Sequence, residues 1–178
     1  HWRLNADEPA IIDYNTEFKH PACATCGPDY YSNTVDRPSD HDPVIIGLNL
    51  VKQIGGTAGR DTLIGTAGDD VITGGIGADT LTGGAGADQF VFTSLRDGVD
   101  TITDFQPGID RIALTQVLAS TGIVSANPIV NGYVTCKAIG ADAMISVDPD
   151  AIGAAASRNL VLLKNQSCAI AIPGNFIF

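Results

Sequence analysis

The chain has 178 residues, and its apolar share of 44% is enough to form one large domain or two small ones with a buried core. Its 20 acidic residues outnumber 10 basic ones, and the net charge of −10 argues against stable binding to nucleic-acid phosphates. No apolar run approaches the roughly 20 residues of a membrane-spanning helix, so we expect no membrane insertion. Asp accounts for 18 of the acids and favours turns over long helices, which predicts a strand-and-turn protein.

The first predicted element is a strand over residues 44–50, where apolar side chains occupy alternate positions from Val44 to Leu50. It follows the run Ser39–Pro43, which contains Asp40 and His41. Just before a strand, such a carboxylate can hold a metal ion or orient the imidazole, which moves protons near neutral pH.

The chain starts at His1 without a Met or a signal peptide, so we expect an internal fragment or a processed product.

The segments Leu4–Pro9, Asp13–Asn15 and Ser39–Val44 resemble the last part of the endonuclease/exonuclease/phosphatase superfamily, in its secreted-nuclease branch. The resemblance implies that Asp40 and His41 belong to a metal-dependent phosphodiesterase site, with Mg²⁺ as the cofactor of a complete parent nuclease. The family's metal-binding Glu, its Asp-x-Asn element and its other His are absent from this chain. Since phosphoryl transfer depends on that set, we expect residues 1–52 to be a sandwich remnant that is not catalytic by itself.

A nine-residue repeat occupies the middle of the chain. From Gly56 to Val91 the sequence forms four blocks, GTAGRDTLI, GTAGDDVIT, GGIGADTLT and GGAGADQFV. Each block predicts a tight glycine turn with one Asp, followed by a short strand with one inward apolar side chain. Two blocks complete one coil of a parallel β-solenoid, so residues 18 apart stack, pairing Asp61 with Asp79 and Asp70 with Asp88.

Two other structures were considered for this segment. A flexible Gly/Asp-rich linker is one alternative, but four copies in phase, each with an apolar residue two positions after its Asp, disfavour it. An amphipathic helix is excluded, because 11 of the 20 glycines fall between Gly55 and Gly86.

The stacked turns predict a cation site. Stacked carboxylates repel one another, at a cost of about 1 kcal/mol or more per close pair, so a positive charge is needed between them. Glycine-rich turns also direct backbone carbonyls inward, where no strand satisfies them. A shell made only of carboxylate and carbonyl oxygens suits calcium better than zinc or copper.

The blocks resemble the RTX calcium-binding nonapeptide repeats, whose motif is G-G-x-G-x-D-x-U-x. The third and fourth blocks match it throughout, whereas Thr57 and Thr66 replace the second glycine in the first two. The resemblance implies calcium in one or two sites, held together with backbone carbonyls of the turns by the side chains of Asp61, Asp70, Asp79 and Asp88.

Further strands are expected after the repeat. Val99, Thr101, Thr103 and Phe105 alternate with Asp100 and Asp104 as in a strand, and Gln106–Gly108 is a turn signal. The other predicted strands are Arg111–Leu114, Gly132–Ile139, Met144–Val147 and Leu160–Leu163, and the predicted short helices are Thr115–Ala119 and Ala151–Ser157.

The pattern D-x-I-x-D-F-x-P-G-x-D-x-I (Asp100–Ile112) and the run Ser146–Asp150 resemble the C-terminal targeting domain that follows RTX repeats in type I secretion substrates. This implies an extracellular protein of a Gram-negative bacterium, with a type I secretion transporter as partner. Asp100, Asp104 and Asp110 either add calcium ligands or cap turns on a solvated face.

The four cysteines allow three pairings. The implied oxidising exterior favours disulfides, and we expect the pairs Cys23–Cys26 and Cys136–Cys168. A redox role for the C-A-T-C run remains an alternative, whereas a zinc ribbon would need a second close pair.

Together the patterns predict an all-β chain with a nuclease-sandwich remnant over residues 1–52, a short parallel β-roll over 53–92 and a β-rich secretion target domain over 93–178. The expected function is a calcium-binding extracellular module that folds on export. The alternatives are a calcium-stabilised filament subunit, which would form a homopolymer by strand exchange, and a metal-dependent nuclease if the upstream part is present.

Overall fold

A computed structural model describes residues 51–151, 153 and 155–178, all of which fall within one compact unit. This part of the chain is nearly all β, with a solenoid of about three coils and one short α-helix. The strands are β1 (Lys52–Gly55), β2 (Thr62–Ile64), β3 (Asp70–Thr73), β4 (Thr80–Thr82), β5 (Gln89–Val91), β6 (Asp100–Ile102), β7 (Arg111–Ala113), β8 (Val134–Ile139), β9 (Asp142–Val147), β10 (Arg158–Leu163) and β11 (Phe176–Ile177).

Two sheets form the faces of the roll. One has the order β1-β3-β5-β7-β11, in which every pair is parallel. The other has the order β2-β4-β6-β10-β9-β8, in which β2, β4, β6 and β10 are parallel and the last two pairings are antiparallel. From β1 to β7, consecutive strands alternate between the sheets, as the two-blocks-per-coil prediction requires.

The register of the repeat strands confirms the predicted 18-residue stacking. Ile54 pairs with Ile72, and Leu63 with Leu81. Ile72, Leu81 and Phe90 are completely buried, while Ile54 and Leu63 in the first coil are only partly buried. The single large apolar residue of each block therefore supplies the core of the roll.

The roll continues past the four repeats into a third coil. Strand β6 pairs with β4 in the register Leu81↔Ile102, and β7 pairs with β5 in the register Phe90↔Ile112. Both Ile102 and Ile112 are completely buried, so they extend the same apolar stack. These residues lie in the segment that the sequence assigned to the C-terminal domain.

The predicted strand near residue 100 is present as β6, over Asp100–Ile102. Its apolar and polar residues do not lie on opposite faces: Asp100, Ile102 and Phe105 are buried, whereas Val99 is 38% exposed and Thr103 is exposed. The stacking of Leu81 on Ile102 fixes which residues of this strand face the core.

The remaining elements close the described unit. Helix α1 (Thr115–Thr121) confirms the helix expected at Thr115–Ala119; it buries Val117 and Leu118 and ends at Gly122 in the left-handed conformation. The second expected helix, Ala151–Ser157, is not found, since its described residues form bends and irregular chain. Among the described residues, no helix has the length and apolar character to cross a membrane.

Candidate calcium-binding turns

Two columns of stacked Asp residues run along the turns of the roll. In the first column, the backbone N–H of Asp61 donates to Oδ1 of Asp79 at 2.8 Å, and the N–H of Asp79 donates to Oδ1 of Asp100 at 2.9 Å. In the second, the N–H of Asp70 donates to Oδ1 of Asp88 at 2.9 Å, and the N–H of Asp88 donates to Oδ1 of Asp110 at 3.1 Å. Asp100 and Asp110 thus occupy the third-coil positions of the two columns.

Three carboxylate oxygens in these columns are buried and have no hydrogen-bond partner. They are Oδ1 of Asp70, Oδ2 of Asp79 and Oδ2 of Asp88, on residues that are each only 1% exposed. A buried ionised oxygen without a partner costs several kcal/mol in general, and proteins compensate it with a cation or a proton. Each column therefore has at least one position that calls for a positive charge.

Other oxygens surround these positions. The point where a Cβ on Gly74 would lie is 2.6 Å from Oδ2 of Asp79 and 3.1 Å from Oδ2 of Asp100. The same point on Gly65 is 2.7 Å from Oδ2 of Asp70 and lies against the carbonyl oxygen of Gly83. Only glycine leaves this space open, and its walls are carboxylate and carbonyl oxygens.

This donor set fits calcium. Within the part of the chain that the structure describes, no three His, Cys, Asp or Glu side chains group around one point in a metal-binding arrangement. A site here consequently depends on two carboxylates from neighbouring coils together with backbone carbonyls. Calcium accepts such a flexible all-oxygen shell, whereas zinc requires a compact nitrogen and sulfur set.

The two blocks that carry Thr satisfy their Asp differently. The backbone N–H and hydroxyl of Thr57 both donate to Oδ2 of Asp61, at 2.6 and 2.9 Å. Thr66 makes the same pair of bonds to Oδ2 of Asp70, at 2.5 and 3.0 Å. In these two blocks Oδ2 of the Asp is therefore satisfied within its own turn. In the two glycine blocks the same atom, Oδ2 of Asp79 and of Asp88, has no partner.

The glycine blocks have a different turn conformation. Gly75 and Gly84, at the positions of Thr57 and Thr66, have φ values of +94° and +99°, which L side chains rarely adopt. The N–H of Gly84 donates across the stack to Oδ2 of Asp104 at 2.8 Å and not to the Asp of its own block. The glycine turns therefore leave Oδ2 of their Asp free.

Burial and mutual repulsion raise the pKa of the central carboxyl groups. Burial raises the pKa of Asp88 to about 6, with repulsion from Asp110 and Asp70 in the same column adding to the shift. Burial raises the pKa of Asp100 to about 7, and repulsion from Asp79 adds to it. The pKa of Asp110 is also raised, mainly by burial. A bound dication would remove this penalty on the charged forms.

The third-coil acids have distinct roles. Asp104 accepts the N–H groups of Gly83 and Gly84, both within 2.9 Å, which agrees with the turn-capping alternative. Asp97, which the sequence analysis did not single out, is 5% exposed and accepts bonds from Thr93 and Ser94. The spacing Thr93–Asp97 repeats the Thr-to-Asp spacing of the first two blocks and could have identified it.

The expected disulfide between Cys136 and Cys168 is present, with an S–S distance of 2.00 Å. It links β8 to a short 3₁₀ helix, Cys168–Ile170. The expected Cys23–Cys26 pair and the predicted catalytic remnant, Asp40 and His41, lie outside the described residues.

Comparison with known proteins agrees with the geometry of the turns. Residues 55–90 match the family model of the RTX calcium-binding nonapeptide repeat, in four copies. No curated protein matches the chain.

Two solution structures of subunits of a mannuronan C5-epimerase from Azotobacter vinelandii are similar to the chain. One has 26% identity and a TM-score of 0.47, covering 78% of this chain and 86% of that one. The other has 26% identity and a TM-score of 0.49, covering 72% of this chain and 88% of that one. On the evidence of the repeat match and the turn geometry, the chain carries a calcium-binding RTX-repeat module.

Proposed function

We propose that this chain is an extracellular module whose folding is switched on by calcium. The observation that carries the proposal is the set of buried carboxylate oxygens without partners on Asp70, Asp79 and Asp88. Because these oxygens come together only when the coils stack, a cation bound there stabilises the folded chain and not the unfolded one. One ion in each column, centred on Asp79 and Asp88, accounts for the unpaired Oδ2 atoms.

The expected working range follows from the type of site. Extracellular calcium sites commonly have dissociation constants of about 10⁻⁴–10⁻³ M, which exceeds the calcium concentration inside cells. At low calcium, repulsion along the Asp columns and the conformational freedom of the glycine turns favour an open chain. At extracellular calcium concentrations the coils close.

Calcium-dependent folding suits export, since an unfolded chain can pass through a narrow channel. We therefore propose secretion by a type I transporter from a Gram-negative bacterium. The resemblance of Asp100–Ile112 to type I targeting domains supports this, and so does the Cys136–Cys168 disulfide, because such bonds persist in oxidising compartments.

The proposed origin is the C-terminal part of a secreted nuclease, inactive by itself. Its support is the sequence resemblance around Asp40 and His41, together with the absence from this chain of the family's other metal ligands. Incubation of the chain with plasmid DNA and Mg²⁺ tests the proposal: we expect no cleavage, and metal-dependent nicking would contradict it.

A calcium-stabilised filament is the second candidate. Within the described part of the chain, β1 forms one edge of the first sheet and β2 forms one edge of the second. Val51, which precedes β1, is 54% exposed, and Ile64, the last residue of β2, is 66% exposed. A second copy adding a strand at this end would cover both side chains. Light scattering with and without calcium tests this, and a monomer under both conditions would exclude it.

Calcium titration of the full chain tests the main proposal. We expect circular dichroism to show folding at millimolar CaCl₂, with neither NaCl of equal ionic strength nor MgCl₂ replacing it. The substitution Asp79→Asn keeps the shape of the side chain but removes its charge, so the calcium midpoint should rise at least tenfold. The control Asp148→Asn removes an acid outside both columns and should leave the midpoint unchanged. Equal midpoints for the two variants would contradict the proposal.

A further inference from the structure

The two Asp columns end differently at the third coil. In the first column, Oδ1 of Asp100 accepts the backbone N–H of Asp79 at 2.9 Å. In the second column, Oδ1 of Asp110 accepts the backbone N–H of Asp88 at 3.1 Å. Asp100 and Asp110 therefore have equivalent positions, and the difference between the columns lies in the contacts of their Oδ2 atoms.

In the first column, carboxylate oxygens of the second and third coils converge. Oδ2 of Asp79 is buried and has no hydrogen-bond partner. The point where a Cβ on Gly74 would lie is 2.6 Å from this atom and 3.1 Å from Oδ2 of Asp100. Two carboxylates from successive coils thus border one space, and a calcium ion between them would satisfy both.

In the second column, hydrogen-bond donors already contact the corresponding oxygens. Oδ2 of Asp110 accepts the backbone N–H of Gln106 at 2.8 Å, so both oxygens of this carboxylate are satisfied. The side-chain Nε2 of Gln106 donates to the carbonyl oxygen of Gly84 at 3.0 Å. Asp104 accepts the N–H groups of Gly83 and Gly84, at 2.9 and 2.8 Å. Direct hydrogen bonds therefore join the second and third coils on this side of the roll.

The unpartnered oxygen of Asp88 has its counterpart in the first coil. Oδ1 of Asp70 is likewise buried without a partner, and the N–H of Asp70 donates to Oδ1 of Asp88 at 2.9 Å, so the two carboxylates adjoin. Among the described residues, the nearest neighbours of a Cβ on Gly83 would be Asp88 and the ring of Phe90, with no oxygen of the third coil among them. An ion in this column therefore lies between the first and second coils.

The loop that carries Gln106 is also held from the C-terminal side. The backbone N–H of Gly108 donates to Oδ1 of Asn175 at 2.8 Å, and Asn175 is only 1% exposed. Nε2 of Gln166 donates to the carbonyl oxygen of Phe105 at 3.0 Å. Because the last segments of the chain hold this loop, its amide is fixed in position without an ion.

We infer that the amide of Gln106 replaces a calcium ion between the second and third coils of the second column, whereas Asp79 and Asp100 bind an ion between these coils in the first. An amide N–H directed at a carbonyl oxygen supplies the positive charge density that a cation would otherwise supply. Asp110 then caps a turn, and Asp100 is a calcium ligand. This inference rests on the proposed calcium-dependent folding. It implies that the strands after the repeat are coupled to calcium through the first column alone.

The substitutions Asp100→Asn and Asp110→Asn test the difference, because they remove a negative charge from equivalent positions. Native mass spectrometry and calorimetric titration of the full chain with CaCl₂ count the bound ions. We expect two ions for the unsubstituted chain, one for Asp100→Asn and two for Asp110→Asn. Loss of the same number of ions in both variants would overturn the inference.

A second pair of variants keeps the test decisive if Asp110→Asn does not fold. Gln106→Glu removes the donor to Gly84 and adds a carboxylate oxygen beside that carbonyl, so the chain should bind one ion more than the unsubstituted chain. The control Gln166→Glu breaks an amide-to-carbonyl bond of the same length, 3.0 Å, outside both columns and should leave the count unchanged. An unchanged count for Gln106→Glu, or equal gains in the two variants, would overturn the inference. An unsubstituted chain that binds no calcium would refute the proposed function itself, so the two failures are distinguishable.

Discussion

The residue at the second position of each nine-residue turn determines how the Asp of that turn is satisfied. Thr66 has an ordinary backbone conformation and donates two hydrogen bonds to Oδ2 of Asp70. Gly84 adopts a φ of +99°, its N–H bonds to Asp104, and Oδ2 of Asp88 has no partner. A single side chain therefore determines whether Oδ2 of the Asp is satisfied within its own turn or left for a cation, while Oδ1 of Asp70 has no partner even in the turn with Thr66.

The substitution Thr66→Gly should make the turn of the second block resemble the glycine turns of the third and fourth blocks. Losing the hydroxyl bond to a buried carboxylate should lower the free energy of unfolding by about 1–3 kcal/mol at the lowest calcium concentration that folds the unsubstituted chain. At saturating calcium we expect a smaller loss, because an ion can bind the freed oxygen. Urea unfolding at both calcium concentrations measures this, and Thr66→Ser, which keeps the hydroxyl, is the control. Equal losses at the two calcium concentrations would refute the interpretation.

At the scale of the element, the sequence predicted the repeat strands well and the third coil poorly. A nine-residue period places Leu81 and Phe90 inward without ambiguity, because the same pattern recurs four times. No such period extends to β6, so the alternation there predicted a strand without showing which of its residues are buried. The buried Asp100 is tolerated since its Oδ1 accepts the N–H of Asp79, a contact 21 residues distant that local patterning does not reveal.

The C-terminal strands depend on a covalent element in place of calcium. The Cys136–Cys168 disulfide closes a loop with a sequence separation of 32 residues, for which chain entropy gives about 3–4 kcal/mol of stabilisation. The double substitution Cys136→Ser/Cys168→Ser should lower the free energy of unfolding by about this amount. The calcium midpoint, corrected for the lower stability, should be unchanged because both Asp columns lie outside the loop. A loss of calcium binding in the folded variant would contradict this division of roles.

At the scale of the whole molecule, protons and calcium compete for the same carboxylates. Burial raises the pKa of Asp88 to about 6 and that of Asp100 to about 7. The folded calcium-free chain thus holds protons more tightly than the unfolded chain does. The stability that protonation of Asp88 and Asp100 gives to the folded chain is complete below the unfolded pKa of about 4 and is lost as the pH rises through 6 and 7. Asp142 has the opposite effect, because its hydrogen bond with Lys164 lowers its pKa. Its contribution to stability is complete above the unfolded pKa of about 4 and is lost only in more acidic solution.

Acidification from pH 7.5 to 5.5 should therefore have two opposite effects. Without calcium, a larger fraction of the chain should fold, because protons neutralise the buried carboxylates in place of the ion. The calcium midpoint should rise several-fold over the same range, because calcium must displace those protons. Circular dichroism of calcium-free protein and calcium titrations at each pH measure both effects. The substitution Asp100→Asn should reduce both, whereas a midpoint independent of pH in the unsubstituted chain would show that these carboxylates do not bind the ion.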